Sequence, residues 1–444
     1  RAGAFSGNGV YAQSQARALA KAGHEVHVVS GVPSNSLERK QSRRTHYPGD
    51  PPNLVVTEIL LSEDHKWGRL DAECGWREFA ERAGPGLEED LVRGIADFDP
   101  DVILGVDWSS LPAARSLSRR VRSLKRREGT AGEDTLCDNA PTHLIAPFVY
   151  SNFRVFTRSA PEAHAKLEAD AVAAARGVLV LCREDADFVA ERLSPPGIAV
   201  APRVVLPPLR EDVRLLAESP AESTETPDAV SVSERKYLTC CVRLSPEKEP
   251  ENFLRLCRWL AARDALRSAS LVPVLCASTR GEYAASVRSR FQECVRGNEH
   301  RIVTEHLDAK GLRDLFRATK LNYHPCRKDA YGMTVVEAGA FGAPSVAQRG
   351  GGVGATHTLR EKDGALLGMD LRMTERSFSS SGSDDADDDE AAHAEVLKHA
   401  LDAATLARVG AAARRAATAW DEAANAEAVA RALRDVIDAH RRVD

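Results

Sequence analysis

Two carboxylates with seven residues between them, Asp329 and Glu337, bracket a stretch whose apolar positions Met333, Val336, Ala340 and Phe341 recur at helical spacing from just after Gly332. A helix starting there presents backbone N–H groups with no intrahelical partner and the positive end of a dipole, which suits an anion or a cluster of sugar hydroxyls. Asp329 falls in the loop before that mouth, and Glu337 about one turn inside it. Gly342, Ala343 and Pro344 stop the helix, and Ser345 to Ala347 begin a short strand that ends at the triple glycine Gly350 to Gly352. A second group lies upstream, where a strand from Tyr237 to Val242 runs into Arg243 and Lys248, two cations flanking a turn at Pro246. Cations just beyond a strand end suit a diphosphate, because they neutralise charge building on a leaving nucleotide. Two solvated charges at a turn are the alternative reading.

Residues 324–354, HPCRKDAYGMTVVEAGAFGAPSVAQRGGGVG, resemble the signature of family 4 (group 1) retaining glycosyltransferases, enzymes of the GT-B fold in which two acidic residues separated by seven others contact a nucleotide-sugar donor. The resemblance implies that Glu337 holds the ribose hydroxyls and that Asp329, with the amides near Gly332 and Met333, holds the donor sugar. Tyr331 and Thr334 join them as donor-binding residues. Arg243 and Lys248 match the family's basic pair at the donor phosphates and, with Asp329 and Asn152, are the catalytic candidates. Three departures stand out. The first acidic position is usually Glu, and Asp329 is one methylene shorter, which lengthens the contact or selects another sugar. Gly354 and Ala355 stand where an acidic residue is common. Near residues 150–154 the family places a histidine beside the donor sugar and this chain has none, so Asn152 or Arg154 takes its place as a hydrogen-bond donor. Arg154 equally suits an anionic acceptor or a phosphate.

These residues need elements to position them. Residues 3–9, GAFSGNG, read as a glycine-rich loop, and residues 10–22 as a helix ended by Gly23, with a strand following from Glu25 to Ser30. This loop, helix and strand resemble the opening of the same glycosyltransferases, which implies that Gly7 and Gly9 approach the donor phosphates or the acceptor; a surface turn is the plain alternative. Strands at Leu54 to Leu60, Val102 to Val106, His143 to Tyr150 and Val178 to Cys182 alternate with stretches long enough for helices, giving a mostly parallel, doubly wound sheet. Ligands bind beyond the carboxyl ends of such strands, which singles out Asp107 and Trp108 for the acceptor side. An indole there either stacks on a sugar or packs in the core. His24, His27 and His143 lie at or within strand patterns and read as structural.

The resemblance thus implies two Rossmann-like domains facing across a cleft. Residues 1–208 form the acceptor-side domain, with its customary first strand absent from the sequence. Residues 209–235 connect it to a nucleotide-sugar-binding domain at 236–420, and residues 421–444 form a terminal helix crossing back to the first domain. Within the second domain a helix is expected near 251–263, a strand near 271–277, a helix near 282–296 and a strand at 301–307, the last contacting the nucleotide base through its backbone and leaving the base unassigned. Residues 122–141 read as a basic surface insertion, with docking to an acceptor or a lipid surface as a second use. Ser379 to Glu390 reads as a mobile acidic loop, and residues 391–440 as alanine-rich helix with a break at Trp420.

Composition excludes other classes. The 444 residues carry 60 basic against 65 acidic side chains, with no basic block long enough for a nucleic-acid partner. No apolar run reaches the ~18–20 residues of a membrane helix. Nine cysteines without a CxxC pair or a Cys/His metal spacing fit buried, reduced thiols rather than a disulfide frame or structural zinc. A soluble protein of the cytoplasm or an organelle is expected, and the opening at Arg1 leaves N-terminal targeting undetermined. The implied activity is sugar transfer with retention from a nucleotide-diphosphate sugar, the only co-substrate, to an unidentified glycan, lipid or small-molecule acceptor, with no metal and no further cofactor. The leaving phosphate itself assists deprotonation of the acceptor. Two other readings stay open: a different GT-B enzyme such as a phosphorylase or nucleotide-sugar epimerase, and a non-catalytic nucleotide-sugar-binding protein.

Overall fold

The computed structural model describes residues 7–33, 41–62, 76–129, 144–153, 162–195, 200–219, 234–371 and 390–442. The chain divides into two units, Arg1–Pro208 with Glu422–Asp444, and Leu209–Asp421.

In the first unit, helix α1 (Gly7–Lys21) leads to β1 (Val26–Pro33), β2 (Arg43–Thr45) and β3 (Leu54–Leu61). β1 pairs with β3 in parallel, and the short β2 lies antiparallel on the outer edge of β3. Helices α2 (Trp76–Arg82) and α3 (Glu89–Ala96) then precede a second sheet of β4 (Ile103–Val106), β5 (Phe148–Ser151), β6 (Gly177–Val180) and β7 (Arg203–Val204), parallel throughout and adjacent in chain order. Its crossovers include α4 (Ser110–Arg127), α5 (Glu162–Ala174) and α6 (Arg183–Phe188). β5 is buried at every position, as a strand covered on both faces must be.

In the second unit α7 (Glu211–Glu218) comes first, followed by β8 (Tyr237–Cys241), α8 (Glu251–Ala262), α9 (Ala265–Ser268), β9 (Val272–Cys276), α10 (Glu282–Cys294), β10 (Arg301–Val303), α11 (Ala309–Arg317) and β11 (Thr319–Tyr323). Then come α12 (Met333–Ala340), β12 (Ser345–Gln348), β13 (Leu367–Met369), α13 (Glu390–Leu401) and α14 (Ala403–Ala419). All six strands are parallel, in the order β10-β9-β8-β11-β12-β13. Phe253 of α8, Phe291 of α10 and Tyr323 of β11 form an aromatic centre in this core, the Phe253 ring lying 5.9 Å from Phe291 and 5.7 Å from Tyr323 between centroids. α15 (Glu422–Arg441) belongs to the first unit, where it packs on α1; Asn425 fixes it by donating to the carbonyl of Leu206 at 2.6 Å.

The expected doubly wound α/β plan is present, with several differences. Gly7 and Gly9 lie in the first turns of α1 rather than in a loop before it. The stretch expected to connect the domains opens with α7, which packs on α11 and α12, so its first residues are part of the second unit. The alternation Val213, Leu216 and Ala217 had the helical period, but the surrounding Pro, Ser and Glu masked it. The strands expected from His143 and to Leu307 are shorter, beginning at Phe148 and ending at Val303. The break at Trp420 separates α14 from α15 as expected. The acidic run 379–389 and most of the basic insertion, from residue 130, lie outside the described residues. No described helix is long and apolar enough to cross a membrane.

Candidate functional site

In the second unit β8 and β11 are neighbours, but the chain leaves β8 toward β9 on one side and β11 toward β12 on the other. Loops leaving two such strands diverge at their carboxyl ends and open a crevice between them. Arg243 to Glu249 follows β8, and His324 to Gly332 follows β11, so both candidate groups converge on this switch point. Two loops of this length need fixing. Asn252 donates to the Pro325 carbonyl at 2.7 Å, the Cys326 thiol donates to the Lys248 carbonyl at 3.2 Å, and Glu249 receives both the Arg327 backbone N–H and its Nε at 2.7 Å. Glu249 itself sits in the left-handed region, φ 45°, where it can end the turn after Lys248 and still face Arg327.

At the centre, Lys248 Nζ lies 2.8 Å from Asp329 Oδ1, and His324 Nε2 lies 3.4 Å from Asp329 Oδ2. Burial by itself raises the Asp329 pKa, yet the Lys248 ammonium and the His324 ring hold it well below the usual carboxylate range. Burial likewise lowers Lys248, and Asp329 more than reverses this, so the lysine stays charged. A fixed cation and a fixed anion therefore sit side by side, each part-exposed. Arg243 points elsewhere: its side chain is 57% exposed and it pairs with Glu247 and, at 3.2 Å, Ser245. Of the expected basic pair, Lys248 is locked into the crevice, and Arg243 is engaged on the turn surface.

Gly332 caps α12 at φ 73°, a left-handed conformation that glycine adopts without strain. A Cβ there would stand 3.0 Å from Val353 Cγ1 and 3.6 Å from His324 Nε2. The crowding comes from the loop after β12. Asp329 N–H donates to the Gly352 carbonyl at 2.9 Å, Gly354 N–H to Asp329 at 3.0 Å and Ala355 N–H to Tyr331 at 2.5 Å, so this loop clamps the mouth of α12. Gly332→Ala is expected to destabilise the second unit by about 1–3 kcal/mol, the usual cost of an L-residue held in a sparsely populated region. Urea denaturation checks it, and an unchanged midpoint would mean the mouth is free to rearrange. Met333 and Thr334 are half-buried in the first turn, and Tyr331 is buried beside them.

Glu337 is buried on α12 and receives Arg210 Nη1 at 3.3 Å; the same guanidinium binds Asp212 at 2.6 Å. Burial raises the Glu337 pKa to about 7, with Arg210 opposing and Asp212 adding to the rise. The packing of α7 on α12 is what brings Arg210 to this carboxylate.

Asn152, expected beside the donor sugar as a catalytic residue, and the residues expected on the acceptor side belong to the first unit. Asn152 is buried after β5, where its Nδ2 donates to Glu168 Oε1 at 2.7 Å and contacts the Tyr150 hydroxyl at 3.1 Å. Its donor is thus committed to a buried carboxylate rather than held toward a ligand. Asn152→Ala, by leaving the buried Glu168 short of a hydrogen bond, is expected to cost about 1–3 kcal/mol of stability. Thermal unfolding checks this, and a wild-type midpoint would show that other groups satisfy Glu168. Asp107 occupies the left-handed region, φ 58°, and its Oδ1 accepts the Phe153 N–H at 3.1 Å. Trp108 is only 7% exposed and meets His164 and Trp76 edge-on, with centroids 4.7 and 6.0 Å apart, the core-packing alternative. Arg154 lies outside the described residues.

Sequence reasoning missed four residues. His324 and Cys326 were in view within HPCRKD, but a search for CxxC pairs and paired histidines passes over a His-x-Cys followed three residues later by Asp. Arg210 lies in the stretch that reads as a connection, and Glu168 carries no signal at all, because only the α5 packing brings it to Asn152.

Residues 223–367 match the family model described as glycosyl transferases group 1. A search of curated proteins finds no match. Among solved structures, a sucrose-phosphate synthase from Thermosynechococcus elongatus is similar over 98% of this chain and 94% of its own, with a TM-score of 0.64 and 14% identity. An E. coli trehalose-6-phosphate structure bound with UDP-2-fluoro glucose is similar over 98% and 97%, with a TM-score of 0.62 and 15% identity. A UDP-forming alpha,alpha-trehalose-phosphate synthase from Burkholderia xenovorans in complex with glucose-6-phosphate is similar over 97% of each chain, with a TM-score of 0.62 and 15% identity. The fold is therefore GT-B, two Rossmann-like domains of the kind expected from the sequence.

Proposed function

We propose, from the premise that residues 223–367 match the model of the group 1 glycosyl transferases, that the chain is a retaining glycosyltransferase taking its sugar from a nucleotide-diphosphate donor. The observation that carries this reading is the Lys248–Asp329 ion pair at the mouth of α12, with Glu337 one turn beyond. Asp329 and the free amides of the α12 mouth accept and donate to the sugar hydroxyls, while ionised Glu337 accepts from the two ribose hydroxyls. Lys248, and Arg243 once turned from Glu247, neutralise the diphosphate. As the bond from the anomeric carbon to the phosphate oxygen breaks, the acceptor oxygen bonds to the same face of that carbon. Its proton passes to the departing phosphate. Positive charge fixed before the reaction begins is worth most here, because it needs no reorganisation as negative charge develops.

UDP is the first nucleotide to try, since solved relatives of this fold carry UDP-linked ligands, and a sugar phosphate is the first acceptor class for the same reason. The test is thermal stabilisation by UDP, GDP and ADP and their common sugars, followed by detection of free nucleotide diphosphate in the presence of glucose-6-phosphate and other acceptors. Stabilisation by one nucleotide and its acceptor-dependent release are expected. Binding without release under every acceptor would favour a donor-binding protein, and no binding would remove the assignment.

A further inference from the structure

His324, Cys326 and Asp329 bring an imidazole nitrogen, a sulfur and a carboxylate oxygen within 4.8 Å of one another. His324 is 1% exposed, and its Nε2, turned toward this cluster, makes no well-formed hydrogen bond. A buried ring nitrogen left in that state has either a cost or a use. The donor set combines one thiol, one imidazole and one carboxylate, the mixture that borderline-soft divalent ions prefer over Mg2+ or Ca2+. We propose that these three side chains bind a divalent cation of the Zn2+ class, and that the bound ion competes with Lys248 and with the donor sugar for Asp329.

Bonds of about 2.0–2.3 Å place tetrahedral ligands roughly 3.5 Å apart, so atoms now up to 4.8 Å apart must draw in by about 1 Å. Side-chain rotation supplies that, because Cys326 exchanges one weak hydrogen bond to the Lys248 carbonyl for a metal bond. The thiol proton leaves to solvent as the thiolate forms, a water completes the fourth position, and Zn2+ with one thiolate and one carboxylate is locally neutral. Asp329 Oδ2, on the His324 side, faces the ion, and Oδ1 is the atom now holding Lys248. The ion therefore weakens the Lys248 contact and covers the oxygen a sugar hydroxyl needs. The competition with donor rests on the glycosyltransferase reading, but the binding itself does not.

The full chain is titrated with Co2+, which reports tetrahedral thiolate ligation by a sulfur-to-metal charge-transfer band and strong visible bands, and Zn2+ is then added to bleach them. One equivalent is expected to saturate the wild type. Cys326→Ser should lose the charge-transfer band, His324→Gln should lose the tetrahedral visible bands, and Cys241→Ser should keep both. No thiolate band in the wild type overturns the site, as does a band that survives in Cys326→Ser. Circular dichroism establishes that Cys326→Ser is folded; were it not, an unchanged spectrum in His324→Gln would overturn the proposal equally. In a second arm, equimolar Zn2+ should abolish stabilisation by the nucleotide sugar in the wild type and leave His324→Gln at whatever value it shows without Zn2+. An intact cobalt spectrum with undiminished donor binding overturns the competition. Absence of any donor binding refutes the glycosyltransferase reading instead, and leaves the spectroscopic result standing.

Discussion

Lys248→Met is expected to lower kcat by about 10²–10³, the usual effect of removing one preorganised charge from a site where charge develops. It should also destabilise the second unit by about 3 kcal/mol, near the lower end for removing one partner of a buried pair, because the lysine side chain is 23% exposed and Asp329 only 11%. The stability loss arises at Asp329. Without the ammonium, burial dominates that carboxyl group, and its pKa climbs from well below the normal range. The two effects separate in the double variant Lys248→Met with Asp329→Asn, which removes both charges: it should recover most of the stability and none of the activity. Urea denaturation and steady-state rates read them independently. A single variant with the wild-type midpoint would show that Asp329 does not depend on Lys248 for its charge.

Nucleotide affinity is expected to rise as pH increases through about 7, because in the proposed donor site Glu337 must ionise before it can accept two ribose hydroxyls. Folding stability should run the opposite way. The Glu337 pKa is raised from 4.5 to about 7 by burial, so the native state holds this proton more tightly than the unfolded chain. The resulting stabilisation is fully present below about 4.5 and is lost as pH rises to about 7, on the order of 3 kcal/mol in total. Glu337→Gln should remove both dependences and weaken nucleotide binding by about 1.5–3 kcal/mol. Arg210→Met should move the binding midpoint upward, since Arg210 favours the ionised form. Titration of nucleotide binding between pH 5 and about 8.5 decides this; a flat wild-type profile would mean that Glu337 is already ionised or lies outside the site.

Much of the second unit was legible in the chain. β8, α8, β9, α10 and α12 fall within a few residues of their expected positions, because buried parallel strands and amphipathic helices both write strong apolar patterns. Ends were less so: Arg301 to Leu307 reads as one strand, but only Arg301 to Val303, the part with adjacent β-branched Ile302 and Val303, finds a partner, on β9. Gly7 and Gly9 show the limit of composition, since glycines that suggest a loop lie in the first turns of a helix. Asn152 and Trp108 show another. Their types suited a ligand, yet Asn152 serves Glu168, and Trp108 packs against His164 and Trp76.

What the sequence by itself determined is the local grammar of the site: two carboxylates with seven residues between them around a helix mouth, a glycine at the cap, and two cations after a strand. Each follows from short-range spacing along one element, which needs no knowledge of neighbours. What only the tertiary structure decided is which charges meet. The strand order at the β8/β11 switch point brings Lys248, rather than Arg243, to Asp329, and the packing of α7 on α12 delivers Arg210 to Glu337 across more than a hundred residues of chain. Ion-pair energies depend on separations of a few ångströms and on how much water is excluded, and neither quantity is written in the order of the residues.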